Sequence, residues 1–257
     1  MKPPYYEDDA VTIYHGEALA LLRDVGTATL DGVIADPPYS SGGMFRSDRT
    51  AKTTDKYRGF SPGAEGWRPK SDMPEFGGDN RDQRAYGYWS ALWMSEVLRA
   101  SKPGAVFLCF TDWRQLPTTS DAILAGGWTW RGTVVWDKGI GRPMKGRPRN
   151  HIEFVLWASN GPMNADDNPV YLSSLYRFPP PHARQHLTQK PLELLQELVQ
   201  FVRPGGVVLD PFMGTGTTLH AAKNTNRRAI GIESQERYCE IAARRMCQGV
   251  LDFGEAA

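Results

Sequence analysis

The chain has 257 residues, is 40% hydrophobic with ten Phe, ten Tyr and eight Trp, and carries a formal net charge of +1. That apolar content suffices for one large buried core spanning residues 1–257 and excludes wholesale disorder. Three cysteines (Cys109, Cys239, Cys247) without a CxxC pair exclude a disulfide scaffold, and no apolar run approaches the length of a membrane span.

In chain order, residues 11–14 predict a short strand, and residues 17–22 a helical turn or two. Residues 32–35 predict a buried strand that delivers Asp36-Pro37-Pro38-Tyr39 at its C-terminal end. From residue 40 to about 84 no period survives. A stretch of this length rich in Gly, Pro, Ser and Thr predicts a mobile loop, residues 40–85. Residues 86–99 follow as a helix with Trp89, Leu92, Trp93 and Leu98 at helical spacing. Pro103-Gly104 is read as punctuation before a strand at 105–110, and residues 116–124 as a helix with Pro117 in its first turn.

Residues 130–136 and 152–157 predict two strands joined by a basic, glycine-rich loop. With no helix between them they are expected to pair as an antiparallel hairpin at one edge. Residues 160–185 read as irregular. The remainder alternates: helix 191–202, strand 206–210, helix 217–224, strand 228–233, helix 235–246. The expectation is an α/β fold with a mostly parallel sheet. Asp8 and Asp9 are read as an exposed terminus, and the tryptophans at 89, 93, 128, 130 and 136 as core.

Asp210-Pro-Phe-Met-Gly-Thr-Gly-Thr-Thr218 is a glycine-rich turn between a strand and a helix. Gly214 and Gly216 let the backbone approach a ligand, and the helix opening at Thr217 offers free N–H groups. Glu233 ends the next strand, where an acid can bind ribose hydroxyls. The competing reading is an ordinary turn whose acid caps a helix. No Gly-Lys-Ser/Thr follows, so the turn is not a phosphate loop.

Asp36-Pro37-Pro38-Tyr39 suits chemistry on the exocyclic amine of a base. Such an amine is a poor nucleophile because its lone pair is delocalised into the ring. Two acceptors on its N–H groups, the Asp36 carboxylate and the Pro37 carbonyl, draw the nitrogen toward sp³ geometry. The two prolines add no competing N–H and stiffen the backbone, and Tyr39 offers a ring for stacking.

The chain resembles the β group of S-adenosylmethionine-dependent DNA amino-methyltransferases, in which the catalytic tetrapeptide precedes the cofactor turn. Three blocks carry the resemblance: Ala35-Asp-Pro-Pro-Tyr39, the turn from Asp210, and His186-Leu-Thr-Gln-Lys-Pro191, where Leu187 stands in place of the family's proline. Val134-Val-Trp136-Asp-Lys138 also looks like a family element. The resemblance implies a Rossmann-like, circularly permuted fold with a seven-stranded sheet of order 3-2-1-4-5-7-6. Strands at 206–210, 228–233 and 11–14 would be its first to third, and those at 32–35, 105–110, 130–136 and 152–157 its fourth to seventh. It also implies S-adenosylmethionine as cofactor, with Phe212 packing near it, Glu233 on its ribose, Asp36 close to its methionine end, Thr188 and Lys190 toward its carboxylate, and Asp210, Gly214, Gly216 and Thr217 of the turn also binding it.

A base inside a duplex must be flipped out at a cost on the order of a few kcal/mol, which DNA contacts must offset. Residues 138–149 hold Lys138, Arg142, Lys145, Arg147 and Arg149 with no acid. Residues 44–70 hold seven basic side chains against three acidic ones, with Tyr57, Phe60 and Trp67 interleaved. Both segments suit phosphate contacts. Residues 160–185 fall where the family keeps its target-recognition region and are short for it, which favours a homodimer on double-stranded DNA, with a cognate restriction endonuclease as a further partner.

The resemblance implies adenine-N6 over cytosine-N4, because the cytosine-N4 class more often has Ser where this chain has Asp36. RNA-base and protein-glutamine methylation, which the resemblance associates with an Asn-led tetrapeptide, rank lower, as does a methylase-fold DNA-binding protein without turnover. The five histidines show no metal spacing, so no metal is expected. Residues 1–9 lack the apolar stretch of a secretion signal, and the expectation is a soluble cytoplasmic protein.

Overall fold

Strand β4 (Ser101–Thr111) shows how the sheet is held. Val106, Leu108 and Phe110 point into one core, while Phe107 and Cys109 point into the other. Successive side chains on a strand face opposite ways, so an unbroken apolar run means that both faces are covered. The computed structural model describes residues 2–39, 81–141, 143, 145–146, 148–181 and 189–247.

The other strands are β1 (Tyr6–Glu7), β2 (Val11–His15), β3 (Leu30–Ala35), β5 (Thr129–Asp137), β6 (Ile152–Ser159), β7 (Leu175–Arg177), β8 (Val207–Asp210) and β9 (Arg228–Glu233). Helices α1 (Ala18–Leu22), α2 (Gln83–Ala100) and α3 (Leu116–Ala125) cover one face through Leu22, Trp93, Met94, Val97 and Ile123. Helices α4 (Leu192–Val199), α5 (Thr217–Asn224) and α6 (Glu236–Cys247) cover the other through Leu194, Leu198, Leu219, Ala222 and Ala242.

The sheet runs β1-β2-β9-β8-β3-β4-β6-β5-β7. Its central seven strands follow the expected order of a Rossmann-like methyltransferase fold. Strand β6 is antiparallel to both β4 and β5, as the absence of an intervening helix predicted. The hairpin is not at the edge, however, because β7 pairs in parallel with β5 from within residues 160–185. With β1, which pairs antiparallel to β2, this makes nine strands among the described residues in place of seven. Strands of two and three residues are too short for any period to show.

Pro103-Gly104 does not precede β4 but lies inside it. The register with β3 jumps from Leu30↔Ser101 to Gly32↔Val106, and a proline without an N–H is tolerated in such a bulge. Helix α2 begins at Gln83, since the Asp82 side chain accepts the Ala85 N–H at 2.9 Å and caps it. Helix α4 stops at Val199, where the backbone tightens into turns from Glu197 to Gln200 and from Leu198 to Phe201.

Asp8 is no free terminus. Its carboxylate accepts the N–H groups of Ala10 and Val11 at 2.8 and 2.7 Å, the Tyr6 hydroxyl at 2.8 Å and Lys223 Nζ at 2.7 Å. Burial pushes this carboxyl up, but Lys223 and those donors outweigh it and hold it at about 2. Trp93, Trp128 and Trp136 are core as expected, Trp89 is half-buried, and Trp130 is exposed at the sheet's far end. Among the described residues no helix is long and apolar enough to cross a membrane.

Candidate active site

Strands β3 and β8 are parallel neighbours, paired at Gly32↔Val208 and Val33↔Leu209. Their C-terminal ends, Asp36 and Asp210, therefore leave the sheet side by side where strand order reverses, the position at which open α/β sheets bind ligands. A cleft of about 970 Å³ opens there, lined among others by Glu17, Tyr39, Trp89, Phe212 and Glu233.

On one side lies the turn after β8. The Asp210 carboxylate accepts the Phe212 N–H at 3.0 Å, which sets the bend. Gly214 and Gly216 take left-handed φ of 51° and 78°. A Cβ on Gly216 would sit 2.9 Å from Ala242 Cβ, so α5 can start this close to α6 only from glycine. A Cβ on Gly214 would meet nothing within 4 Å. Thr217, buried, opens α5. Phe212 packs on Trp89 and Trp93 at ring distances of 5.4 and 5.1 Å while also lining the cleft.

Glu233 accepts the Gly214 N–H at 3.1 Å through Oε2, and the Gln235 N–H at 2.8 Å and the Ser234 hydroxyl at 3.2 Å through Oε1. It thus ties down the turn and leads into α6, while its carboxylate still faces the cleft. Burial outweighs these donors and pushes its carboxyl up. Asp210 is pushed further, to about 7, by burial and then by the negative charges of Asp36 and Glu233, with the Thr218 hydroxyl and Phe212 N–H opposing.

This near-neutral carboxyl carries a pH signature. The folded protein keeps a proton on Asp210 that the unfolded chain releases above about pH 4. The stability it contributes is therefore fullest below pH 4 and is lost as pH rises through about 7. Asp210→Asn removes that loss. Its melting temperature, measured without cofactor, is expected to exceed that of the parent by a margin that widens from pH 5 to pH 7 and then stays level, equivalent to roughly a few kcal/mol. A margin independent of pH would contradict the assignment.

On the other side stands the tetrapeptide. The Tyr39 hydroxyl donates to Asp36 Oδ1 at 2.5 Å and Lys190 Nζ to Asp36 Oδ2 at 2.6 Å. Tyr39 remains a neutral phenol, its pKa pushed well up by burial and then by Asp36 and Glu153. Lys190 is buried against the rings of Phe110 and Tyr39, at 4.9 and 5.4 Å. Burial pulls its ammonium down, but Asp36 and Glu153 outweigh that and hold it above the ordinary lysine value.

Glu153 was not singled out by sequence reasoning. Because β6 runs antiparallel, its N-terminal end meets the edge where the parallel strands finish, and Glu153 enters the cleft opposite Trp136. Its oxygens lie 3.1 Å from Lys138 Nζ and 3.6 Å from Lys190 Nζ. A single acid within the apolar run Ile152-Glu-Phe-Val-Leu-Trp157 was the available signal.

The structure thus brings together Asp36, Pro37, Pro38, Tyr39, Lys190, Asp210, Phe212, Gly214, Thr217 and Glu233 around one cleft. Lys138 lines it too, bonded to Glu153 at its rim. Lys145 and Arg149 are exposed away from these contacts. Thr188, Arg142, Arg147 and residues 44–70 lie outside the described residues, as does all but the end of the predicted loop 40–85. Among the described residues no cluster of His, Cys, Asp and Glu could hold a metal ion.

The residues present fit S-adenosylmethionine. Gly214 leaves open space at the turn, and the carboxylates of Asp36 and Glu233 face the cleft beside the near-neutral Asp210, a lining suited to a cationic ligand. Sheet order, turn and cleft together define a class I methyltransferase. A family model described as DNA methylase, covering N6 and N4 amine methylation, matches residues 30–244, and the chain belongs to that family of S-adenosylmethionine-dependent DNA amino-methyltransferases. Its sequence is 26% identical over 270 residues to the type II methyltransferase M2.LlaDCHI of Lactococcus lactis subsp. cremoris, covering 97% of this chain and 94% of the relative. Its structure is similar to M1.HpyAVI in complex with S-adenosylmethionine, with a TM-score of 0.65 and 25% identity over 92% of this chain and 98% of the other. It also matches the fold of the PvuII DNA methyltransferase, a cytosine-N4-specific enzyme, with a TM-score of 0.67 at 16% identity over 98% and 90% of the two chains.

Proposed function

We propose that this DNA methyltransferase acts on the N6 amine of adenine flipped out of duplex DNA. The observation that carries the reading is an aspartate at the head of the tetrapeptide, held by two donors at the junction of the cleft's two sides. A carboxylate has about four acceptor positions, so Asp36 retains lone pairs for an amine N–H after Tyr39 and Lys190 are served. The Pro37 carbonyl is the second acceptor. Neither Pro37 nor Pro38 adds an N–H that would compete for the amine's lone pair.

When bound, S-adenosylmethionine supplies a methyl group on a positively charged sulfur. Gly214, Phe212 and Glu233 would hold it, with Asp210 shaping the turn beneath and Gly216 setting the start of α5 against α6. Asp36 orients the amine and can take up the proton it loses, so the work of the site is positioning and electrostatics rather than a covalent intermediate on the protein.

Mass spectrometry of nucleosides from methylated DNA tests the choice of base. N6-methyladenine is expected, and N4-methylcytosine in its place would transfer the same site to the rival reading.

The same proposal places Lys145 and Arg149 on the DNA backbone and has the protein work in the cytoplasm as a homodimer beside a cognate endonuclease. Tyr88 and Leu92 on α2, with Leu124 on α3, are exposed apolar side chains that could face a second copy. Light scattering at micromolar concentration should give twice the chain mass; the mass of one chain, free and on DNA, would defeat the dimer.

A further inference from the structure

We infer that Glu153 is a positioning residue for methyl transfer: by sharing the Lys190 ammonium it keeps that ammonium from neutralising Asp36, and so preserves the acceptor strength that the target amine needs. This rests on the role proposed for Asp36. The geometry is a chain of alternating charge. Lys138 Nζ lies 3.1 Å from Glu153, Glu153 lies 3.6 Å from Lys190 Nζ, and Lys190 Nζ lies 2.6 Å from Asp36. Two cations and two anions make the set neutral, which is what lets it stand largely out of water.

Glu153 is poorly explained as a stabiliser. Buried ion pairs add little net stability over apolar side chains of the same size. Among the described residues its Oε2 has no hydrogen-bond partner within 3.5 Å and faces the Lys190 ammonium across 3.6 Å, so that carboxylate oxygen acts on the lysine chiefly through its charge. Lys190, boxed by the rings of Phe110 and Tyr39, has these two carboxylates as its ion-pair partners among the described residues. If Glu153 loses its charge, the ammonium belongs to Asp36 alone, and a carboxylate fully engaged by an ammonium at 2.6 Å is a weaker acceptor for an amine N–H.

Glu153→Gln keeps the shape and removes the charge. It should lower kcat by about 10- to 100-fold while KM for cofactor and for DNA stay within about threefold. The sharper readout is a double-mutant cycle. In a Lys190→Met background, Glu153→Gln should cost almost nothing further, because its effect passes through the lysine. Should Glu153→Gln fold poorly, the neutral pair Glu153→Gln with Lys138→Met removes one charge of each sign and must show the same loss in kcat. A kcat equal to the parent's, a loss confined to KM, or full additivity with Lys190→Met would overturn the inference. None of those results depends on which base is methylated, so failure here is distinguishable from failure of the adenine reading, which product analysis alone decides.

Discussion

Asp36→Ala should abolish methyl transfer, with kcat falling by about a thousandfold or more, while cofactor affinity stays within about tenfold. The asymmetry follows from the two sides of the cleft. The glycine turn and Glu233 belong to β8, β9 and their loops, and do not need Asp36 for their geometry. The amine side does, since Asp36 is where Tyr39 and Lys190 converge. Alanine also strands Lys190, leaving Glu153 at 3.6 Å as its remaining anion in a buried place, so a loss of stability of roughly 3 kcal/mol is expected alongside. Asp36→Asn separates the two effects, because the amide keeps the shape and one acceptor. Single-turnover methylation with calorimetric cofactor titration is the measurement. Substantial turnover in Asp36→Ala would remove the residue from the proposed role.

How much of this was legible depended on chain length per element. The strand ending at Asp36, the turn from Asp210 and the helix beginning at Thr217 could be read because apolar runs end on distinctive residues there. The central order of seven strands came from the resemblance, not from periodicity, and the structure agrees with it. What escaped was too short or too distant in sequence. Strands β1 and β7 are two and three residues long, and β7 pairs with β5, some forty residues before it in the chain. Asp8 looked like a loose end because the lysine that fixes it is 215 residues away.

Glu153 escaped for a different reason. Its role depends on β6 running against its neighbours, which brings the start of that strand, rather than its end, to the cleft. A missing helix between two strands predicts the hairpin, but which residues it carries to the cleft follows only from its place in the sheet. The resemblance implied the cofactor's carboxylate as the target of Lys190, while its nearest partner in the structure is Asp36, at 2.6 Å.

Glu233→Ala is the second large effect, and it should fall on cofactor affinity rather than on turnover. A carboxylate that accepts two ribose hydroxyls contributes roughly 1.5–3 kcal/mol, so Kd for S-adenosylmethionine should rise about 10- to 100-fold with kcat at saturating cofactor nearly unchanged. The residue has a second duty that could imitate this result. It accepts the N–H groups of Gly214 and Gln235, and alanine would loosen both the turn and the entry to α6. Glu233→Gln distinguishes the two duties. Glutamine can still accept one of those N–H bonds but offers neither the charge nor the second acceptor to a ribose. A residue that only anchors the turn would be largely rescued by glutamine, whereas a ribose ligand would not be. Isothermal titration of both variants gives the answer, and parent-like affinity in Glu233→Ala would take Glu233 out of the cofactor site and leave it as the cap of a helix.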